Sequence, residues 1–187
     1  MAHAMQREFT PLRIAVLTVS DTRTPDTDTA GDVLVQLLGA AGHELADRQL
    51  VVDDIYQLRA RVSQWIAEPS VQVILITGGT GFSARDHVPL AISPLLDRQM
   101  AGFGELFRQL SYGEIGTSAL QSRALAGFAN GAFIACMPGS PGACATAWNG
   151  ILQQQLDNRT GPCNAVAHIR SHRQDTLACA SRSSPLN

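Results

Sequence analysis

Four short runs of apolar residues recur along the chain, and each ends in polar or glycine-rich residues. The runs span Arg13–Asp21, Leu45–Asp54, Val71–Thr77 and Ala132–Met137. The first is β-branched and nearly all apolar after its opening arginine, a pattern typical of strands buried on both faces of a parallel sheet. The runs therefore predict four strands.

Between the runs, apolar residues return at the spacing of an amphipathic helix. Helices are predicted over residues 30–41, 55–66 and 89–98, and a fourth is predicted after the PGSPGA segment, carrying Trp148, Ile151, Leu152 and Leu156. Pro94 is placed to kink or split the third of them. Residues 102–131 show no strand pattern and predict helix and loop. Alternating strands and helices indicate βαβ units, hence an α/β fold with a mostly parallel central sheet.

The length of the chain, 187 residues with 45% hydrophobic content, suits one core and one domain. We predict that this domain covers residues 13–169. Residues 1–12 are predicted to be a flexible N-terminal segment. Residues 170–187 lack periodicity and are predicted to be a disordered tail.

The charged residues exclude several classes of function. A net charge of −2 argues against a nucleic-acid binder, and no apolar stretch is long enough for a membrane span. We expect a cytoplasmic protein. All 14 basic residues are arginine, which excludes a Walker A lysine, a pyridoxal Schiff base and a lysine nucleophile. The cysteines show no C-x-x-C pair and are interpreted as ordinary thiols.

The carboxyl ends of parallel strands meet at one edge of a sheet, where ligands of such sheets bind. Two of the predicted ends are acidic, Ser20-Asp21 and Asp53-Asp54, and two are glycine-rich, Thr77 to Gly81 and Pro138 to Gly142. Glycine lets the backbone approach a ligand, and successive N–H groups can form an anion-binding nest. Carboxylates beside such a nest suit a divalent metal between protein and phosphate. This edge is therefore the predicted phosphate site.

Two further motifs at these loops are rejected as signatures. The series Gly79-x-Gly81-x-x-Ala84 satisfies a dinucleotide fingerprint, but the strand with an acidic end expected about 20 residues later is missing. The PGSPG segment resembles a nucleophile elbow, yet Pro138 stands where G-x-S-x-G requires glycine. We expect neither a nicotinamide enzyme nor a serine hydrolase.

Charged residues beside the loops have competing interpretations. Asp21 and Asp53 either serve a metal site or cap the helices that follow. His87 is either a general base or ligand, or a polar contact at a helix start, and we favour the latter. Arg85 and Arg123 are predicted to pair with phosphate, because a guanidinium binds two oxygens at once.

Five motifs occur in order between about residues 13 and 169. They read TVSDTRTPDTDTAG, ITGGTGFSARD, GFGELFRQLSYGEIGTSALQSRALAG, MPGSPGA and QLDNRTGPCN. Together they closely resemble the MoaB/MogA family of molybdenum-cofactor biosynthesis, whose fold recurs in gephyrin-type proteins. The third and fifth motifs look more like the MoaB branch than the MogA branch.

This resemblance implies a three-layer α/β/α molybdopterin-binding domain that transfers AMP from ATP to the terminal phosphate of molybdopterin. It implies Asp86 and Asp53 as catalytic residues that hold Mg²⁺ through the ATP phosphates. The phosphate- and substrate-binding positions that it implies are Ser20, Asp21, Thr77, Gly78, Gly79, Thr80, Gly81, Arg85, Glu105, Ser118, Ser122, Arg123, Pro138, Gly139, Ser140 and Pro141. It also implies a homo-oligomer, a trimer or a hexamer, and other cofactor-assembly proteins are candidate partners.

The chemistry fits a site without lysine or a histidine base. A phosphate monoester is already anionic at neutral pH, so the protein needs to align it and to neutralise charge. One segment departs from the family: RDHVPLA replaces the usual RDVTPEA, so that His87, Val88 and Leu90 stand where valine, threonine and glutamate are common. The alternative function is therefore a non-catalytic molybdopterin-binding or assembly protein of the MoaB branch.

Overall fold

A six-stranded mixed sheet forms the centre of the molecule in the computed structural model, which describes residues 8–170. Its strands are β1 (Arg13–Val19), β2 (Glu44–Val51), β3 (Val73–Thr77), β4 (Arg98–Gln99), β5 (Leu125–Ala129) and β6 (Ala132–Met137). Their order across the sheet is β2-β1-β3-β6-β5-β4. The first four in this order run parallel, while β5 is antiparallel to β6 and β4 is antiparallel to β5. The predicted mostly parallel sheet is confirmed.

Helices cover both faces of this sheet. They are α1 (Thr29–Ala40), α2 (Ile55–Ala67), α3 (Val88–Ile92), α4 (Ala101–Ile115), α5 (Pro141–Ala147) and α6 (Gln153–Gln155). A π-turn, Trp148–Leu152, joins α5 to α6, and short 3-10 turns cover Pro25–Thr27, Ser93–Leu95, Gly116–Gln121 and Ala165–His168. No helix in the described residues is long and apolar enough to cross a bilayer.

The sheet separates two apolar cores, because successive side chains of a strand point to opposite faces. One core contains Leu34 of α1, Phe107 of α4 and Trp148 of the π-turn. The other contains Leu58 of α2 and Ile92 of α3. Alternate residues of β1, β3 and β6 enter each core. The molecule is thus a three-layer α/β/α structure, as the resemblance implied.

The prediction of helix and loop over residues 102–131 was wrong at β5. This strand pairs antiparallel with β6 through a two-residue turn, since Ala129 lies opposite Ala132. The turn residues Asn130 and Gly131 have φ of 46° and 74°, and positive φ at both central positions is typical of a type I′ hairpin. The sequence of β5, LAGFA, contains no β-branched residue, so its pattern did not stand out.

The helix predicted over residues 89–98 is shorter than expected. α3 ends at Ile92, and the chain continues as a 3-10 turn that contains Pro94. Proline has no N–H to donate to the preceding turn, so the α-helix stops there. Pro94 therefore splits this segment, as its position indicated.

Arg170, the last described residue, joins separate segments of the domain through its hydrogen bonds. Its guanidinium donates to the carbonyls of Ile66 at 2.8 Å and Val71 at 2.6 Å, and its N–H donates to the Gly131 carbonyl at 2.8 Å. The Gln72 side chain donates to the Arg170 carbonyl at 3.0 Å. One arginine thus joins the end of α2, the start of β3 and the β5–β6 turn.

The N-terminal residues that the structure describes also contact the domain. Leu12 is buried, and its N–H donates to Nδ1 of His43 at 3.2 Å. The Phe9 ring lies 5.3 Å from the His43 ring, between centroids. The predicted domain limits stay a prediction, because residues 1–7 and 171–187, with most of the predicted tail and Cys179, lie outside the described residues. Cys136 and Cys144 are buried and Cys163 is exposed, each as a free thiol.

Candidate functional site

The ends of β1, β3 and β6 approach one another at glycines. A Cβ on Gly78, which has φ of +106°, would lie 2.2 Å from the Val19 carbonyl oxygen. A Cβ on Gly139 would lie 3.1 Å from Cα of Gly78. The two glycine loops therefore meet backbone to backbone, which residues with side chains would prevent.

In the first loop, residues 77–81, the Gly78 N–H donates to the Met137 carbonyl at 3.0 Å, while further along the loop the carbonyl groups are occupied and the N–H groups are not. The carbonyl oxygens of Gly79, Thr80 and Gly81 accept hydrogen bonds from Val88 N, Arg123 N and Arg123 Nε, at 3.1, 2.8 and 2.8 Å. Within residues 8–170, the N–H groups of Thr80, Gly81 and the following phenylalanine donate to no acceptor. Because C=O and N–H point opposite ways in a trans peptide, each free N–H is directed away from the group that holds the preceding carbonyl.

The second loop, residues 138–142, has the same arrangement. The Pro138 carbonyl accepts from Oγ1 of Thr77 at 3.0 Å, and the Gly139 carbonyl accepts from Nη2 of Arg23 at 2.8 Å. In the described chain, the N–H groups of Gly139 and Ser140 have no acceptor. Free N–H groups of both loops are the donors that a phosphate would need.

The second loop also leads directly into a helix. Ser140 is the N-cap of α5, and its Oγ accepts the N–H of Ala143 at 3.1 Å, while Pro141 begins the helix. The helix continues through the π-turn into α6. Its N-terminus therefore adds a positive dipole end beside the free N–H groups.

Two carboxylates, Asp53 and Asp86, border the first loop. A Cβ on Gly79 would lie 2.3 Å from Oδ2 of Asp53, and a Cβ on Gly81 would lie 2.8 Å from Oδ2 of Asp86. The Asp53 side chain is 7% exposed and accepts the His87 N–H at 3.1 Å. Burial raises the pKa of Asp53; the His87 hydrogen bond opposes this rise and the nearby Asp86 carboxylate adds to it. A cation at this place would offset both the cost of burying the Asp53 charge and its repulsion from the Asp86 carboxylate.

Asp21 is engaged with protein groups. Its Oδ1 accepts the N–H of Asp53 at 3.0 Å, and its Oδ2 forms a salt bridge with Arg85. Asp21 thus ties the end of β1 to the segment that carries Asp53. Ser20 acts similarly within its own loop, because its Oγ accepts the N–H of Arg23 at 3.1 Å.

The interpretation of Asp21 and Asp53 as helix caps was wrong. The caps are Asp28, which accepts the N–H of Gly31, and Asp54, which accepts the N–H of Tyr56. Asp21 lies too far ahead of α1 for this role, because a loop and a 3-10 turn intervene. Asp53 precedes the actual cap by one residue, and its side chain is held by His87 instead.

A buried network under the first strand supports the second glycine loop. Asp28 accepts hydrogen bonds from Thr18 Oγ1 at 2.7 Å and Arg48 Nη2 at 2.8 Å, and Nη1 of Arg23 lies 3.7 Å from its Oδ1. Burial alone would raise the pKa of Asp28, but hydrogen bonds from Arg48, Gly31 and Thr18 hold it below its usual value. The charged Asp28 thereby anchors Arg23, which holds the Gly139 carbonyl.

His87 is a polar contact at a helix start, as favoured from the sequence. It is the residue before α3, and its Nδ1 lies 3.0 Å from the carbonyl oxygen of Asp53. Its N–H binds the Asp53 carboxylate. His87 therefore orients Asp53 and need not act as a base.

A cavity of about 290 Å³ opens between the two glycine loops and α4. Its lining includes predicted site residues from both loops and from the 3-10 turn after α4 with its C-terminal cap, namely Thr80, Gly81, Ser118, Ser122, Pro138 and Ser140. Phe107, Ile115 and Ala119 supply an apolar wall. A flat ring with polar edges would suit this combination.

Comparison with known proteins agrees with this geometry. A family described as "Probable molybdopterin binding domain" matches residues 15–158. Molybdenum cofactor biosynthesis protein B of Escherichia coli (strain K12) is 53% identical over 163 residues, which cover 87% of this chain and 96% of that protein. The chain belongs to the MoaB/MogA family of molybdenum-cofactor biosynthesis proteins.

Solved structures of MoaB proteins share the fold. A crystal structure of a molybdenum cofactor biosynthesis protein B superposes with a TM-score of 0.78 at 40% identity, covering 80% of this chain and 94% of that one. The tungsten cofactor synthesizing protein MoaB from Pyrococcus furiosus superposes with a TM-score of 0.69 at 30% identity, covering 77% and 92% of the two chains. The predicted kinship with the MoaB branch is confirmed.

One of the site positions that the family resemblance implied, Glu105, lies apart from the glycine loops. Glu105 lines a separate cavity of about 210 Å³ together with Ser93, Met100 and Arg108, and no residue of the glycine loops borders it. The structure therefore does not bring Glu105 to the other predicted residues.

Sequence reasoning also missed residues of the MoaB-family site. Arg23 and Asp28 support the second loop, yet neither was singled out, although both stand in the first family motif. Ser111 and Glu114 line the 290 Å³ cavity and stand in the third motif. The motifs themselves were the signal that could have found them.

Proposed function

We propose that this chain transfers AMP from ATP to the terminal phosphate of molybdopterin, with Mg²⁺, and releases pyrophosphate. The observation that carries the proposal is the edge of the sheet where two loops with free N–H groups lie beside Asp53 and Asp86. Family membership establishes a role in molybdenum-cofactor biosynthesis, and this edge supports the specific reaction.

The residues present fit Mg²⁺ bound together with a phosphate substrate. No group of three or more His, Cys, Asp or Glu side chains in residues 8–170 could hold a metal alone. Asp53 and Asp86 offer two carboxylates, and Mg²⁺ is commonly held by one or two carboxylates plus substrate phosphates. When bound, Mg²⁺ would neutralise charge on the transferred and leaving phosphates.

The chain's own groups supply alignment. The free N–H groups of the two loops would hold the molybdopterin phosphate, and the N-terminus of α5 would favour its negative charge. An oxygen of that phosphate then bonds to the α-phosphorus of ATP, while the bond from this phosphorus to the pyrophosphate oxygen breaks. The cavity of 290 Å³ between the loops would accept the pterin ring against Phe107.

The test is turnover with purified molybdopterin, ATP and Mg²⁺, measured as pyrophosphate and adenylylated product. Asp53→Asn and Asp86→Asn should each lower kcat about 100-fold, because each removes a carboxylate that would hold Mg²⁺ on the reacting phosphates. Binding of molybdopterin, followed by its fluorescence, should change less than about threefold, since the loop N–H groups remain.

Asp54→Asn is the matched control. Asp54 neighbours Asp53 but caps α2, and asparagine is an equally good N-cap. It should keep turnover and stability. Full turnover by Asp53→Asn and Asp86→Asn would refute the assigned roles.

A second candidate is a non-catalytic molybdopterin-binding or assembly protein. The observation that favours it is Leu90, which is 55% exposed and stands where the family usually has glutamate, so the segment after Asp86 offers no further carboxylate. Tight binding of molybdopterin by the wild type without any pyrophosphate would establish this candidate and exclude the first.

We also propose a homo-oligomer in the cytoplasm, a trimer or hexamer. In the described chain, large apolar side chains are exposed along α4 and the turn after it, with Leu106, Tyr112, Ile115 and Leu120 exposed by 41% to 69%. Exposed apolar side chains of this size are candidates for burial in a subunit interface. Sedimentation equilibrium would distinguish a monomer from either assembly.

A further inference from the structure

We infer that Arg123 is a positioning residue that orients both candidate aspartates, Asp53 and Asp86, through a single peptide plane. The inference rests on the proposed function for its catalytic consequence. Its structural claim concerns the protein without ligands and can be tested separately.

Arg123 donates hydrogen bonds to main-chain carbonyls of the first loop and of Asp86. Its own N–H and its Nε donate to the carbonyls of Thr80 and Gly81, both at 2.8 Å. Its Nη2 donates to the Asp86 carbonyl at 2.6 Å. The guanidinium carbon also lies 5.1 Å from the centroid of the Phe82 ring. These contacts hold the whole turn from residue 80 to residue 86.

The bond to the Asp86 carbonyl reaches further than Asp86. The peptide unit that contains this carbonyl also contains the N–H of His87, because a peptide is planar and trans. That N–H donates to Oδ1 of Asp53 at 3.1 Å. When Arg123 holds the carbonyl on one side, the N–H on the other side is aimed at Asp53. One guanidinium thus fixes the backbone of one aspartate and the carboxylate of the other.

Only an arginine suits this arrangement. Nε and Nη2 lie on one rigid plane and bind the Gly81 and Asp86 carbonyls together. A lysine has a single flexible ammonium, which keeps the charge but cannot impose the same geometry. If Arg123 acted chiefly by pairing with phosphate, Arg123→Lys would lose the two-point contact of the guanidinium and would mainly weaken substrate binding.

The first experiment compares residue-resolved amide hydrogen exchange of the wild type and Arg123→Lys, without ligands. The His87 amide should exchange at least about tenfold faster in the variant, because its hydrogen bond to the Asp53 carboxylate is weakened when the peptide plane is no longer held. Amides of β1 and β6 should keep their protection, which distinguishes a local effect from general loss of stability. Unchanged exchange at His87 would overturn the inference, whatever the turnover shows.

Arg13→Lys is the matched control. Arg13 also donates from its guanidinium to a main-chain carbonyl, that of Ser70 at 3.1 Å, but it lies at the start of β1, at the opposite end of that strand from the glycine loops. It should leave His87 exchange at the wild-type rate. A similar acceleration in both variants would also overturn the inference, because the effect would not be specific to Arg123.

The second experiment measures kinetics in the same variants. Arg123→Lys should lower kcat about 100-fold, as expected when reacting groups are misplaced, while molybdopterin binding stays within about threefold. A large loss of molybdopterin affinity with unchanged kcat would overturn the inference, since Arg123 would then contact substrate. If the wild type itself releases no pyrophosphate, the proposed function fails, and the exchange experiment still decides whether Arg123 positions the aspartates.

Discussion

Replacing Gly79 with alanine would place a methyl group against the Asp53 carboxylate. Gly79 has φ of +60°, and its Cβ would lie 2.3 Å from Oδ2 of Asp53 and 2.7 Å from Cγ2 of Val88. Neither neighbour can retreat easily, because Val88 is fully buried and Asp53 is held by His87. The substitution therefore displaces a functional carboxylate without removing it.

The cost has two parts. An alanine in the left-handed region costs about 1–2 kcal/mol. Loss of the hydrogen bond from His87 N–H to a charged carboxylate costs a further ~1.5–3 kcal/mol. We expect a total of about 2.5–5 kcal/mol, which lowers Tm by about 5–20 °C for a chain of this size.

Calorimetry would measure the fall in Tm, and pyrophosphate release at varied Mg²⁺ would measure the effect on the site. Gly79→Ala should lower kcat and raise the Mg²⁺ concentration needed for half activity. Gly116→Ala is the control, since Gly116 also has positive φ, at +58°, but no atom lies within 4 Å of its added Cβ. It should lose stability and keep the Mg²⁺ dependence. A Gly79→Ala protein with wild-type Tm and Mg²⁺ dependence would refute the reasoning.

Three further predictions follow from contacts away from this loop. Arg170→Met removes guanidinium hydrogen bonds to several carbonyls and should lower the free energy of unfolding by about 2–4 kcal/mol, measured with urea; a loss below about 0.5 kcal/mol would contradict the joining role. Burial lowers the pKa of His43 below its unfolded value. The contribution of neutral His43 to stability is therefore complete above about pH 6.5 and is lost as pH falls through the folded pKa. In urea unfolding, the wild type should lose more stability than His43→Gln between pH 7.5 and pH 5. Equal losses in the two proteins would contradict this role of His43. Arg23→Met frees the Gly139 carbonyl and so the N–H of Ser140, and molybdopterin affinity measured by fluorescence should fall about tenfold; unchanged affinity would exclude this role.

Much of the fold could be predicted because the parallel strands are buried on both faces. A continuous apolar run such as that of β3 is typical of a strand at the centre of a parallel sheet. The helices between such runs show apolar residues at helical spacing. β5 was missed because it is short and rich in small residues. Its signal was the Asn130-Gly131 pair between apolar residues, which specifies a hairpin by requiring positive φ rather than by hydrophobicity.

The candidate site, too, was predictable in some of its parts and not in others. The sequence located the glycine loops, since glycines after a buried strand are visible in one dimension. It could not assign roles to the arginines. The phosphate pairing expected of Arg123 stays a prediction, whereas its Nε and Nη2 donate to the Gly81 and Asp86 carbonyls, and those contacts exist only once α4 and β5 place Arg123 beside the loop.

The sequence by itself determined the α/β class, the glycine loops and the family, because these depend on residue type and local spacing. Only the tertiary structure decided which polar groups form hydrogen bonds with one another. Asp28 rather than Asp21 caps α1, and Asp53 is oriented by the N–H of a residue 34 positions away. Hydrogen bonds of this kind depend on distances below about 3.5 Å between atoms of separate elements, and no periodicity along the chain encodes such distances.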